Sequence, residues 1–166
     1  MQTVKQLILH IAAERKLFLD QLINITELQA QWKPNPDDWN ITENTEHLFW
    51  AEQGGILGMW KTIHSSGRKT APDSVHRLLN NNLTWQPKEI VPTVAAPRMG
   101  GPLNFWITSL DGLQDLLNAF GQDLQDDELR LQAHPHPISG AMDFHQRLNL
   151  PDRHRKQVAA LLVAMK

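Results

Sequence analysis

Apolar residues in the N-terminal stretch recur three or four apart: Val4, Leu7/Ile8, Ile11, Phe18, Leu22 and Ile25. That period lays one stripe along a helix and predicts a helix from about Thr3 to Thr26. Arg15 falls inside the stripe, which predicts a gap in the core or a polar pocket at that level. Pro34 and Pro36 forbid helix, and Asp37-Asp38 suits a turn. A second helix is expected from an N-cap at Thr42, with Glu43 and Glu46 complementing the positive end of the helix dipole, to about Ser65-Ser66-Gly67. It carries His47, Leu48, Trp50, Ala51, Gly54, Gly55, Gly58 and Met59. Gly54 and Gly58 share a face, which suits either close helix packing or room for a ligand beside His47.

Residues 67–101 read as a long crossover broken by Pro72, Pro87, Pro92 and Pro97, with a short helix around Ser74–Asn80. A third helix spans roughly Pro102 to Phe120 on the stripe Leu103, Trp106, Leu110, Leu113, Leu117 and Phe120, with Gly121 at the C′ position. The fourth runs from about Ala141 to Lys166, and Pro151 kinks it or forces a restart with Asn149 as cap. Strand signals are nearly absent; Glu89–Val94 alternates, but Pro92 spoils it. These elements predict an all-α fold: one four-helix-bundle domain over residues 1–166, with a long crossover between its second and third helices.

Composition narrows the chemistry. The chain has 166 residues and is 41% hydrophobic, enough for one well-packed core and incompatible with overall disorder. Sixteen basic residues face eighteen acidic ones, and the densest basic stretch is only Arg153–Lys156, so nucleic acid is not an expected partner. Cysteine is absent, which excludes disulfides, thiolate metal sites and Cys nucleophiles. Tyrosine is absent too. His10, Glu14 and Arg15 interrupt the N-terminal stretch, so it reads as neither signal peptide nor membrane span, and a soluble cytoplasmic protein is expected. Eight histidines, the carboxylates and the Ser/Thr hydroxyls remain for chemistry.

His47 and His154 stand out because each lies on a helical segment near its apolar face, where facing helices can bring imidazoles together. A catalytic divalent ion needs about three protein ligands and an open position, so two histidines alone do not complete a site. Trp39, Trp50 and Trp106 suit core filling or an aromatic wall for an apolar substrate group at the bundle end. Arg15 and Arg98 are candidates for anion binding, or simply solvated or paired charges. His10, His64 and His76 read as surface residues.

The run Trp39-Asn40-Ile41-Thr42-Glu43-Asn44-Thr45-Glu46-His47-Leu48 resembles the helix entry of the DinB/YfiT-like superfamily. His134-Pro135-His136-Pro137-Ile138-Ser139-Gly140 is similar to its lead into the last helix, and Arg153-His154-Arg155-Lys156-Gln157-Val158 to its late Arg-His-x-x-Gln-Ile. The resemblance covers nearly the whole chain. It implies a four-helix bundle, commonly a homodimer, with a divalent metal, Zn or Ni, on three histidines: one on the second helix and a His-x-x-x-His pair on the last. The first falls on His47 and one of the pair on His154, while its mate falls on Leu150 or on Val158 according to register. The implied three-histidine site is therefore incomplete.

His145 is taken as the third metal position, although nine residues from His154 it converges only if the helix breaks near Pro151. His134 and His136 lie in a loop and could fold over the site, or sit in solvent. The implied activity is a metal-dependent enzyme of hydrolase or thiol S-transferase type, acting on a small-molecule substrate, with a low-molecular-weight thiol as partner in the transferase case. No general base is assigned: Glu46 and Glu52 flank His47, and Glu46 is expected to face away from it. The alternative is a metal-free, degenerate bundle that binds a small molecule or self-associates.

Overall fold

The computed structural model describes residues 2–64, 93–131, 133–134, 142–148 and 152–165. Helix α1 spans Val4–Asp20, and its Thr3–Gln6 capping box satisfies the first free amides. The predicted continuation to Thr26 is instead turn and extended chain, and a separate short helix, α2, follows over Glu27–Gln31. Thr26 is the cap of α2, at φ −72° and ψ 156°, and an extended residue cannot sit within a helix. Leu22 and Ile25 still follow the α1 stripe into the core through turns.

Helix α3 spans Ile41–His64. Its cap is Asn40 rather than Thr42: Asn40 Oδ1 accepts from the Glu43 amide at 2.7 Å, and Glu43 Oε2 accepts from the Asn40 amide at 2.9 Å. A 3-10 turn covers Thr93–Ala95. Helix α4 runs Leu103–Asp123, three residues beyond the predicted end. Gly121 thus lies inside the helix and not at C′; a methyl there would meet Ile8 Cδ1, so the glycine permits α1 and α4 to approach.

Beyond α4 come α5 (Glu128–Leu131), a two-residue antiparallel ladder pairing β1 (Ala133–His134) with β2 (Met142–Asp143), and α6 (Phe144–Leu148). The last helix, α7, spans Asp152–Ala164. Of the two alternatives at Pro151, kink or restart, the structure has the restart: the stretch expected over 141–166 is two helices, the second beginning at Asp152. The ladder carries no alternating pattern of its own, being two residues a side. The proposed Ser74–Asn80 helix, His76 and most of the crossover fall outside the described residues.

The protein is an all-α bundle in which α1, α4, α3 and α7 close a ring, each packed on the next. Its core divides into two clusters. One contains Val4, Leu7, Ile11, Ile56, Met59, Leu117, Phe120, Phe144 and Leu148. The other contains Phe18, Leu22, Ala30, Ile41, Leu48, Leu103, Leu110, Leu113 and Val158. Helices α3 and α4 both run from the second cluster to the first, hence in the same direction. Parallel neighbours require a connection that returns along the bundle.

A polar layer separates the clusters. Arg15, only 4% exposed, donates Nη1 to Gln114 and Nη2 to Glu52, joining α1, α4 and α3. The interrupted stripe at Arg15 is this layer. Among the described residues, no helix is long and apolar enough to cross a membrane.

Candidate functional site

The first two turns of α3 read as a polar run, yet Thr42, Asn44, Thr45, Glu46 and His47 are all buried. Burying such groups is tolerable only when each is hydrogen-bonded. The Thr42 hydroxyl accepts from Gln31 Nε2 at 3.2 Å. Asn44 Nδ2 donates to the Asn40 carbonyl at 2.8 Å, and the Thr45 hydroxyl donates to the Ile41 carbonyl at 2.8 Å. Glu46 and His47 reach away from the helix, to the segment that leads into α4.

His47 lies 2.7 Å through Nδ1 from the Ala95 carbonyl. A carbonyl only accepts, so Nδ1 carries the proton, and in the neutral ring the lone pair sits on Nε2. The Trp39 ring lies 5.0 Å from the imidazole, centroid to centroid. Trp50 and Trp106 stand 6.0 Å apart with Phe49 against both, and Trp106 is fully buried, as core filling requires.

Glu46 is fully buried. Its Oε1 accepts from the backbone amides of Arg98 at 2.7 Å and Met99 at 2.8 Å, and from Trp50 Nε1 at 3.1 Å. Its Oε2 accepts from the Gly100 amide at 2.9 Å. Burial by itself pushes this carboxyl's pKa up, but the three amides and the indole outweigh it and hold it below the ordinary glutamate value. Glu46 spends its carboxylate on this backbone segment and on Trp50. Arg98 lays its guanidinium over Trp50, 4.2 Å from the ring centroid, and donates Nη1 to the Val94 carbonyl at 3.0 Å. Arg15 and Glu52 are committed to each other in the polar layer.

His154 is the third residue of α7, which packs on α3, but its side chain lies outside the described set. The His134 side chain and His136 also lie outside it. His145 sits on α6, where Nε2 is 3.2 Å from Gln2 Oε1 and its neighbour Phe144 joins the Val4/Met59 cluster. His47 lies in the opposite half, nine residues before Ile56, or roughly 13 Å along α3 at about 1.5 Å per residue. The structure therefore does not bring His145 to His47, a correction to its assignment as third ligand. The physical reason is that α6 ends before Pro151 and packs beneath the start of α1, so the break carries His145 away from the site.

Among the described residues, no group of three His, Asp or Glu side chains gathers about one point. The family model of the DinB superfamily matches residues 10–154. The chain belongs to the DinB superfamily. A search of curated proteins found no match, and a search of solved structures found none. The DinB match embraces the α3 entry, the polar layer and the first turn of α7.

Sequence reasoning missed the role of Glu46 and the segment it holds. The available signal was the Gly100-Gly101 pair, which takes φ values of 63° and 92° that other residues rarely adopt.

Proposed function

We propose that this DinB-superfamily bundle is a metal-dependent enzyme acting on a small molecule, with a divalent ion, Zn or Ni, held by His47 and His154. The observation that carries the reading is the buried His47 donating Nδ1–H to a backbone carbonyl. Metal-binding imidazoles commonly make this bond, because it fixes the tautomer and aims the other nitrogen. The donor chemistry of His47 fits an ion, and in this reading the remaining positions go to His154 and to substrate or water. The ion would supply Lewis acidity and would lower the pKa of a water or a low-molecular-weight thiol bound to it, so hydrolysis and thiol transfer are its two chemistries. The protein orients His47 through Ala95 and sets Trp39 against its ring, which suits an apolar part of the substrate.

Elemental analysis of protein purified without chelator tests the reading. About one equivalent of Zn or Ni in wild type, lost in both His47→Ala and His154→Ala, supports it. No metal in wild type under replete conditions overturns it, leaving a metal-free bundle that binds a small molecule or self-associates.

A further inference from the structure

Glu46 and His47 are adjacent on α3, and they grip opposite ends of one segment of chain. His47 bonds the carbonyl of Ala95, which is itself buried. Glu46 takes the consecutive amides of Arg98, Met99 and Gly100. Consecutive amides turned to one point form a concave anion site, and here a side chain of the protein occupies it. The piece between is braced at three further points. Arg98 Nη1 returns to the Val94 carbonyl at 3.0 Å, Trp106 Nε1 donates to the Gly100 carbonyl at 2.8 Å, and Gln31 Nε2 reaches the Gly101 carbonyl at 3.4 Å.

We propose that Glu46 is the positioning residue for His47: by clamping residues 98–100 it sets where the Ala95 carbonyl stands, and so which imidazole nitrogen is protonated and how the ring is turned. The role bears on catalysis only through the proposed metal reading, but the clamp and its effect on the ring exist without a metal. Glu46 touches neither substrate nor ion in this scheme. Its carboxylate is committed to the backbone, which separates it from a general base. A negative oxygen is needed because neutral acceptors bond three amides less strongly. A glutamine in its place would set an NH2 group against amide donors, so Glu46→Gln opens the clamp with little change of shape.

The test reads the His47 ring directly, in metal-free protein at about pH 8, where an ordinary imidazole is neutral, by long-range nitrogen–proton NMR correlation. Wild type is expected to show the neutral Nδ1–H tautomer. Glu46→Gln, with helix content retained, should show a mixture in which Nε2–H rises, together with faster exchange of the 98–100 amides. An unchanged His47 tautomer in the folded variant overturns the proposal, since a clamp serving only local structure would leave the ring alone. Should Glu46→Gln fail to fold, Gly100→Val decides. It strains a residue at φ 63° with open space around it and leaves α3 intact. It should shift the tautomer likewise, and an unshifted ring overturns the proposal.

Zinc titration of the same proteins adds a second readout. Glu46→Gln should weaken zinc binding by about ten- to a hundredfold, as loss of an outer-shell orienting group does elsewhere. If wild type takes up neither zinc nor nickel, the metal reading fails on its own, and the tautomer result still decides the role of Glu46.

Discussion

Arg15 of α1 and Glu52 of α3 form a buried ion pair at the level where the two apolar clusters meet, with Gln114 of α4 completing the layer. Among the described residues Arg15 Nε has no hydrogen-bond partner, so the guanidinium is incompletely satisfied there. Removing one member strands the other's charge in the core. We expect Glu52→Ala to destabilise the protein by about 3–5 kcal/mol in urea unfolding. Replacing the layer together, as Arg15→Met, Glu52→Leu and Gln114→Leu, should be neutral or stabilising by about 1–4 kcal/mol. If the single variant matched wild type, the layer would not be an energetic unit.

Glu46 makes stability depend on pH. Its folded pKa is lowered relative to the unfolded chain, so the unfolded state takes up the proton first as pH falls. The contribution is fully present above the ordinary glutamate value of about 4.3 and is lost as pH drops below it toward the lowered value. Glu46→Gln should cost about 2 kcal/mol at neutral pH, the scale of a hydrogen bond to a charged group. The gap between variant and wild type, from urea midpoints at successive pH values, should narrow only on the acid side. A gap that widened below about pH 4 would contradict this assignment.

Three helical glycines should respond differently to alanine. Among the described residues, a methyl on Gly54 or Gly112 would meet nothing within 4 Å. Gly54→Ala and Gly112→Ala should each raise stability by up to about 1 kcal/mol, the helix-propensity difference. Gly121→Ala should fall short of that gain, because Ile8 Cδ1 stands where the methyl would go and must rotate away. Thermal midpoints of the three variants would reveal the order.

The start of α3 depends on Asn40, which both caps the helix and donates Nδ2 to Gln31 Oε1 at 3.1 Å. Asn40→Ala should destabilise by about 1 kcal/mol, while Asn40→Asp should largely retain the cap. Equal unfolding midpoints for Asn40→Ala and wild type would place the cap elsewhere.

Periodicity carried the helices and their core faces, because an apolar stripe every three or four residues is a local property of the chain. Arg15 was legible for the same reason, as a charge out of place in a stripe. The boundaries were less so. Asn40 and Thr42 are both good caps, and only the reach of Glu43 back to the Asn40 amide distinguishes them. Gly121 looked like a helix stop because its packing neighbour, Ile8, is far away in sequence.

By itself, the sequence determined an all-α bundle, a polar interruption midway along its core, and the α3 entry that carries His47. Tertiary structure decided that the run from Thr42 to His47 is buried, that Glu46 holds amides about fifty residues away, and that His145 stands in the other half of the molecule. Periodicity records which side of a helix is apolar. Whether a polar side is also covered depends on which distant segment folds over it and offers partners for its hydrogen bonds, and that follows only from the assembled chain.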